Sequence, residues 1–182
     1  QRARVAVLNS DEAEVYNKAS VLLHHKRMLS YGIRRDANVS PKSHPFKTIL
    51  VGEFNRYNCL AAIAATEALG VPLKIAQKAI ASFVGVKGRM ELVVDKPFRV
   101  IIDFAHTPNA IEQALKTVRK SCKGSLIHVF GSAALRDLTK RPLMGEASAR
   151  YADIIVLTEE DYRTEDVHTI IDEIASRIPS ES

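Results

Sequence analysis

The sequence predicts an α/β fold built on a mainly parallel sheet, and three observations lead there. Short β-branched runs alternate along the chain with segments of helical period. Several of the runs are continuously apolar, as strands buried on both faces are. Polar residues gather directly after those runs, at the edge where open parallel sheets hold ligands.

Taken in order, "RVAVLN" (Arg4 to Asn9) predicts the first strand and Asp11 to Tyr31 a helix. The stretch "RRDANVSPKSHPFK", Arg34 to Lys47, is polar, carries two prolines and lacks a period; it predicts a loop, or a place where a longer segment has been shortened. "KTILVG" (Lys47 to Gly52) predicts a strand, followed by helices over Asn55 to Leu69 and Leu73 to Phe83. In "GVKGRM", Gly85 to Met90, two glycines separate compact patterns, which puts a domain boundary near Gly88. Beyond it come the strand pattern "MELVV", the strand "FRVIIDF" (Phe98 to Phe104) and a helix over Asn109 to Ser121. That helix has Thr107 as its N-cap, Pro108 as its first residue and an apolar face of Ile111, Ala114, Leu115 and Val118. The strands "SLIHVFG" (Ser125 to Gly131) and "DIIVLT" (Asp153 to Thr158) alternate with helices over Pro142 to Tyr151 and Val167 to Ile178. No internal repeat is evident.

Composition is that of a soluble globular protein, with 46% hydrophobic and 26% charged residues among 182. The apolar run "CLAAIAATEALG" is broken by Glu67 and falls short of the roughly 20 residues a membrane span needs, so no membrane association is expected. The chain opens without Met or a leader, almost directly in a strand, and is expected to be a piece of a longer protein. Cys59 and Cys122 form neither a disulfide framework nor a metal spacing, which favours a reducing, cytoplasmic setting. The net charge of +5 is spread along the chain without aromatic interleaving. That pattern argues against nucleic acid and for a basic pocket that takes anionic small molecules.

Three strand tips of the second half carry the chemistry: "DFAHTP", "GSAALRDLTKRP" and "TEEDYRTED". On one sheet edge they would gather Asp103, His106, Arg136, Asp137, Lys140, Arg141, Glu160, Asp161 and Arg163, a mixed-charge set suited to a zwitterionic or phosphate-bearing ligand. Arginine forks grip carboxylates bidentately, whereas lysine acts on phosphate as a point charge. For His106 two readings stand: a general base, or a residue that satisfies backbone groups beside the cap. Asn55 and Asn58, three apart at a helix start, either cap the helix or offer amide donors and acceptors to a nucleobase edge. The eight glycines include no phosphate loop of the form G-x-x-x-x-G-K-[ST].

"GEFNRYNCLAAIAA", "GVKGRMELV", "VIIDFAHTPNAIEQAL", "HVFGSAALRDLTKRPLMGEAS" and "DIIVLTEEDYRTED", in that order, resemble the Mur ligases of peptidoglycan synthesis. Within them the likeness is to the tripeptide-synthetase branch, which adds the third amino acid of the stem peptide. "AHTP" separates that branch from folylpolyglutamate synthase, where the run usually reads "AHNP". The resemblance implies that residues 1–87 are the tail of a P-loop-type α/β ATPase domain and 88–182 most of a Rossmann-like C-terminal domain. It implies an ATP- and Mg2+-dependent ligase that activates the carboxylate of UDP-N-acetylmuramoyl-dipeptide as an acyl phosphate and joins it to an amino acid such as diaminopimelate or lysine. The phosphate loop and the UDP-sugar domain would lie on missing upstream parts of the same protein, so this chain alone would be inactive.

By the same resemblance Asn55 and Asn58 face adenine, and Arg89 and Asp103 approach the nucleotide; His106, beside Asp103, is grouped with them as a candidate. Arg136 and Arg163 match the family's arginines for the carboxylate of the incoming amino acid, Asp161 beside Arg163 joins that set, and Lys140 and Arg141 are candidates for a phosphate edge. Two departures bear on this. The family's "GCGGDRD" is "GSAALRD" here, and its "DNPR" is "EDYR". Alanine tolerates positive φ poorly, so the first change implies a reshaped loop, while the second keeps Arg163 but loses its rigid neighbour. These changes leave two further readings open: a non-catalytic binding or regulatory module derived from such a ligase, or another amino-acid ligase of the superfamily.

Overall fold

The computed structural model describes residues 3–180 and divides into two compact units, Gln1–Gly85 and Val86–Ser182. In the first unit, β1 (Val5–Asn9) leads through α1 (Ala13–Leu22) to β2 (Arg27–Tyr31), then α2 (Glu53–Ala68) and α3 (Leu73–Ser82). In the second, β3 (Glu91–Val94) and β4 (Val100–Ile102) precede α4 (Pro108–Arg119), β5 (Ile127–Phe130), α5 (Lys140–Ala149), β6 (Ile154–Leu157) and α6 (Val167–Ala175). The class is α/β, as expected.

Parallel pairing holds for β1 with β2 and for β5 with β6. β3 and β4 are antiparallel, because the five residues 95–99 can only turn the chain back, whereas a parallel crossover needs a dozen or more. Hydrogen bonding links the strands as three separate pairs rather than one continuous sheet.

Two expected elements differ. Asp11 to Tyr31 is not one helix: α1 stops at Leu22, and Arg27–Tyr31 pairs with β1 along its whole length, burying Leu29 and Ser30. Met28 and Leu29 favour helix locally, but pairing with β1 decides their conformation. "KTILVG" forms no strand among the described residues, and Ile49 and Val51 are exposed. The prolyl loop before it is built into the fold. Val39 is fully buried with Leu60, Ile63, Ala64 and Ala76, and it bridges to Tyr31.

The core of the second unit is Ile111 and Leu115 of α4, Phe130 of β5, Met144 and Ala147 of α5, and Ile170 and Ile174 of α6. Thr107 caps α4 as its sequence requires: its Oγ1 accepts from the Ala110 N–H at 3.3 Å, and Pro108 is the first helical residue. α5 begins at Lys140, two residues before the expected Pro142, which the first turn of a helix accommodates.

His128 on β5 stacks on Phe130 with ring centroids 4.3 Å apart, and its Nδ1 lies 2.8 Å from the Ser148 Oγ. Burial pushes its pKa down to about 4. The unfolded chain therefore takes up this proton near pH 6.5 while the folded chain resists until about pH 4, so this residue's contribution is intact above pH 6.5 and is lost on descending to 4. Melting temperature is expected to fall between pH 7 and pH 5, and His128→Phe is expected to flatten that slope. An equally steep slope in the variant would assign it to other groups.

Candidate functional site

The second unit gathers its polar residues beyond the carboxyl ends of β4, β5 and β6. Ahead of β3, Gly88 (φ 69°) and Met90 (φ 48°) bend the chain over the end of β4. The turn is fastened there by Asp103, whose Oδ2 accepts from the Met90 N–H at 2.8 Å, and by Glu91, whose carboxylate accepts from the Gly88 N–H at 2.7 Å. Arg89 is thereby held with its guanidinium 4.3 Å from the ring centroid of Phe104. The His106 ring meets the same phenyl edge-on at 5.0 Å. No carboxylate pairs with Arg89 among the described residues, so a cation–π contact orients it and leaves its N–H fork for an anion.

His106 sits at the surface. Its Nδ1 lies 3.1 Å from the Phe104 carbonyl, and its own carbonyl accepts from Lys140 Nζ at 2.9 Å. The structure thus brings Arg89, Asp103, His106 and Lys140 into one group around Phe104. The sequence reading missed Phe104 because a single aromatic residue after an acid has no period to mark it; its 58% exposure is the sign that it serves a surface.

A second group joins the loops after β5 and β6. Gly131 is required at the start of the first, since a Cβ there would overlap the carbonyl oxygen of Thr158. The Ala134 N–H donates to the Asp161 carbonyl at 2.7 Å, and the Leu135 N–H to Glu165 Oε2 at 3.1 Å. Neither Ala133 nor Ala134 takes positive φ; that conformation falls to Leu135 (φ 54°), so the loop forms without the family's glycines. Arg163 is also left-handed (φ 49°), and its Nε donates to Asp161 Oδ2 at 2.9 Å in an exposed pair. Arg136 is exposed on the next residue after Leu135. The three non-glycine residues of positive φ among those described therefore each are, or adjoin, an arginine expected to meet a ligand: Met90 follows Arg89, Leu135 precedes Arg136, and the third is Arg163 itself. Such backbone strain is concentrated at binding sites, where the surroundings must hold it.

Arg141 requires a correction. It is fully buried, with Nη1 donating to Glu165 at 2.6 Å and to Glu173 at 2.7 Å, so its guanidinium is enclosed by protein carboxylates and is not a phosphate-edge group. Hydrogen bonds from Arg141 and from the Leu135 N–H hold the Glu165 carboxyl down to about 2. Nothing in "TKRP" distinguishes an arginine that points inward from one at the edge.

In the first unit, Asn55 Nδ2 donates to the Val51 carbonyl at 2.7 Å and Asn58 Nδ2 to Asn55 Oδ1 at 3.2 Å. Neither side chain caps α2, whose N-cap is Gly52. The pair keeps Asn58 Oδ1 and one N–H of each amide for a ligand, a donor and acceptor set that fits a purine edge. Among the described residues no three His, Cys, Asp or Glu side chains cluster to hold a metal. A cavity of about 1090 Å3 lies between β4, α4 and β5, alongside the strands rather than beyond their ends; of the edge group only Asp103 borders it.

The family described as Mur ligase, glutamate ligase domain, matches residues 88–181. The chain belongs to the Mur ligase family. It is 38% identical, over 97% of its length, to the UDP-N-acetylmuramoyl-L-alanyl-D-glutamate–2,6-diaminopimelate ligase of Aquifex aeolicus, of which it covers 39%. The enzyme of that name from Synechococcus elongatus is 45% identical over 83% of the chain, which covers 31% of it. The UDP-N-acetylmuramyl-tripeptide synthetase of a Roseiflexus species is 47% identical over 70% of the chain and is covered to 25%. This Mur ligase chain thus spans less than two fifths of the length of these relatives. A solved diaminopimelate ligase structure matches 94% of the chain at 30% identity with a TM-score of 0.50, and the chain covers 40% of it. A Mycobacterium tuberculosis folylpolyglutamate synthase structure matches 96% at 20% identity with a TM-score of 0.71, with 43% of that chain covered, and shows the shared fold. Among the described residues no helix is long and apolar enough to cross a membrane.

Proposed function

We propose that this chain is the nucleotide-closing and amino-acid-receiving part of an ATP-dependent ligase that joins diaminopimelate or lysine to UDP-N-acetylmuramoyl-dipeptide in peptidoglycan synthesis. In this reading residues 1–87 are the tail of the ATP-binding domain and 88–182 the C-terminal domain. The observation that carries it is that, among the described residues, the left-handed non-glycine positions Met90, Leu135 and Arg163 adjoin Arg89, adjoin Arg136 and are Arg163 itself, in a chain 38% identical over nearly its whole length to a diaminopimelate ligase.

Condensing an amine with a carboxylate in water needs an activated carboxyl group, which ATP supplies as an acyl phosphate. The work left to this chain is positioning and charge stabilisation. Arg89, oriented by Phe104, would approach the phosphates together with Lys140. Arg136 and Arg163 would fork onto the carboxylate of the incoming amino acid and leave its amine free to attack. Asn55 and Asn58 would read the adenine edge. His106, exposed and with its ring against the Phe104 carbonyl, acts here as part of the surface rather than as a base.

Isothermal titration of the chain tests the reading. Diaminopimelate or lysine is expected to bind, and Arg136→Ala and Arg163→Ala are each expected to weaken binding by about tenfold, the worth of one charge-assisted contact. Unchanged affinity in both variants would overturn the assignment. Tight binding of ATP would overturn the placement of its triphosphate outside this chain.

A further inference from the structure

We propose that Arg141, with Glu165 and Glu173, is a positioning residue: a buried post that fixes the loops after β5 and β6 and so sets where Arg136 and Arg163 present their guanidinium groups.

Three elements converge on this post. Arg141 lies in the first turn of α5, Glu173 on α6 and Glu165 in the loop between β6 and α6. The Glu165 carboxylate meets the guanidinium as a fork, at 2.6 Å from Nη1 and 2.9 Å from Nη2, while Nη1 also reaches Glu173 at 2.7 Å. Stability alone is a weak reason for such an arrangement, since a buried ion group is often matched or bettered by hydrocarbon of the same volume. This one even leaves Arg141 Nε buried without a partner among the described residues, a loss that an apolar side chain would avoid.

What hydrocarbon cannot do is accept a backbone hydrogen bond, and Glu165 does so. Its Oε2 receives both Arg141 Nη2 and the N–H of Leu135, the left-handed residue immediately before Arg136. Glu165 itself stands two residues after Arg163, the other left-handed position. A left-handed conformation at a residue with a side chain is unfavourable and persists only where neighbouring contacts hold it. Arg141 locks the one carboxylate that holds Leu135 and lies next to Arg163 in sequence. The cross-link from the Ala134 N–H to the Asp161 carbonyl completes the join between the loops. The family reading assigns these arginines to a ligand; the post explains how two exposed side chains on separate loops are given fixed places.

The ligand part of this inference rests on the proposed function, and the structural part does not. Glu165→Gln removes the charge and one arm of the fork, and Arg141→Lys keeps the charge but loses the fork. In both variants the amides of Ile111 and Ile174 are expected to exchange hydrogen as in the parent chain, while those of Ala134 and Leu135 exchange about tenfold faster. Diaminopimelate affinity is expected to fall about tenfold in the same variants. Ile170→Val, which trims the core, is expected to lower the melting temperature without either effect. Wild-type exchange at Ala134 and Leu135 in both variants would overturn the post. Faster exchange with unchanged affinity would overturn its positioning role. A parent chain that binds neither diaminopimelate nor lysine would defeat the functional reading, and the exchange measurement alone would then decide whether the post orders the loops.

Discussion

Gly145→Ala is expected to destabilise the second unit by about 2 kcal/mol, although alanine is the better helix former. The gain in helix propensity is about 1 kcal/mol. Against it stands the packing of α5 on α6: a Cβ at Gly145 would overlap the carbonyl oxygen of Ile174 and lie 3.1 Å from Ile178 Cγ1. A backbone carbonyl cannot rotate out of the way as a side chain can, so α6 must move as a body, and overpacking of that kind costs up to about 3 kcal/mol. Displacing α6 also displaces Glu173 and, through it, one side of the Arg141 group. Thermal and urea denaturation measure the loss. Gly124→Ala is the control, because nothing lies within 4 Å of the added methyl group. A Gly145→Ala protein as stable as its parent would mean that the two helices are less closely packed than described.

Which features could be read in advance follows from where their causes lie. The start of α4 was legible because cap and first residue, Thr107 and Pro108, are neighbours in sequence and act locally. Ile111 and Leu115 were legible as core because a helix repeats its buried face every three or four residues. β2 was not, since "RMLSY" has no strand signature and becomes a strand only because β1 lies beside it. "KTILVG" has the signature and lacks the neighbour. At the candidate site, the strand tips could be located but not the state of each charge. Arg136 and Arg141 are five residues apart in one polar run, yet one is exposed and the other fully buried against Glu165 and Glu173. Burial of a charge depends on partners 24 and 32 residues away, which no local pattern encodes. The left-handed Leu135 is similarly hidden, because its sequence offers alanines and a leucine where glycine would have announced the turn.

Asp11→Ala is expected to destabilise the first unit by about 3 kcal/mol, and Asp11→Asn by somewhat less. Asp11 follows β1 and accepts four hydrogen bonds: Oδ2 from the N–H groups of Ile33 at 2.7 Å and Arg34 at 3.0 Å and from the Tyr57 hydroxyl at 2.7 Å, and Oδ1 from the Arg35 N–H at 2.8 Å. Each bond to a charged group contributes about 1.5–3 kcal/mol in isolation, but this carboxylate is half-buried and its donors can turn to water, so the sum is far below four times that. Burial alone would push its carboxyl up; the N–H groups of Ile33, Arg34 and Arg35 and the Tyr57 hydroxyl overcome that and bring it down to about 2. The Tyr57 hydroxyl is pushed up to about 12, by burial first and by Asp11 second. Because the folded carboxyl lies below its unfolded value of 3.8, its contribution is complete above about pH 4 and is lost as pH falls from there toward 2. The stability gap between parent and Asp11→Asn should therefore stay constant from pH 7 to 5 and shrink below pH 4; a gap that persists at pH 2 would place the effect in packing rather than charge. The consequence reaches the candidate site. Tyr57 lies between Asn55 and Asn58 on the first turns of α2, and Arg34, on the loop that Asp11 gathers, pairs with Glu53 at the start of the same helix at 2.6 Å. Loss of Asp11 frees both ties, so in Asp11→Ala the amides of Asn55 and Asn58 should exchange faster through local opening, while those of Leu60 and Ile63, buried further along α2, exchange faster only by the unit's overall loss of stability.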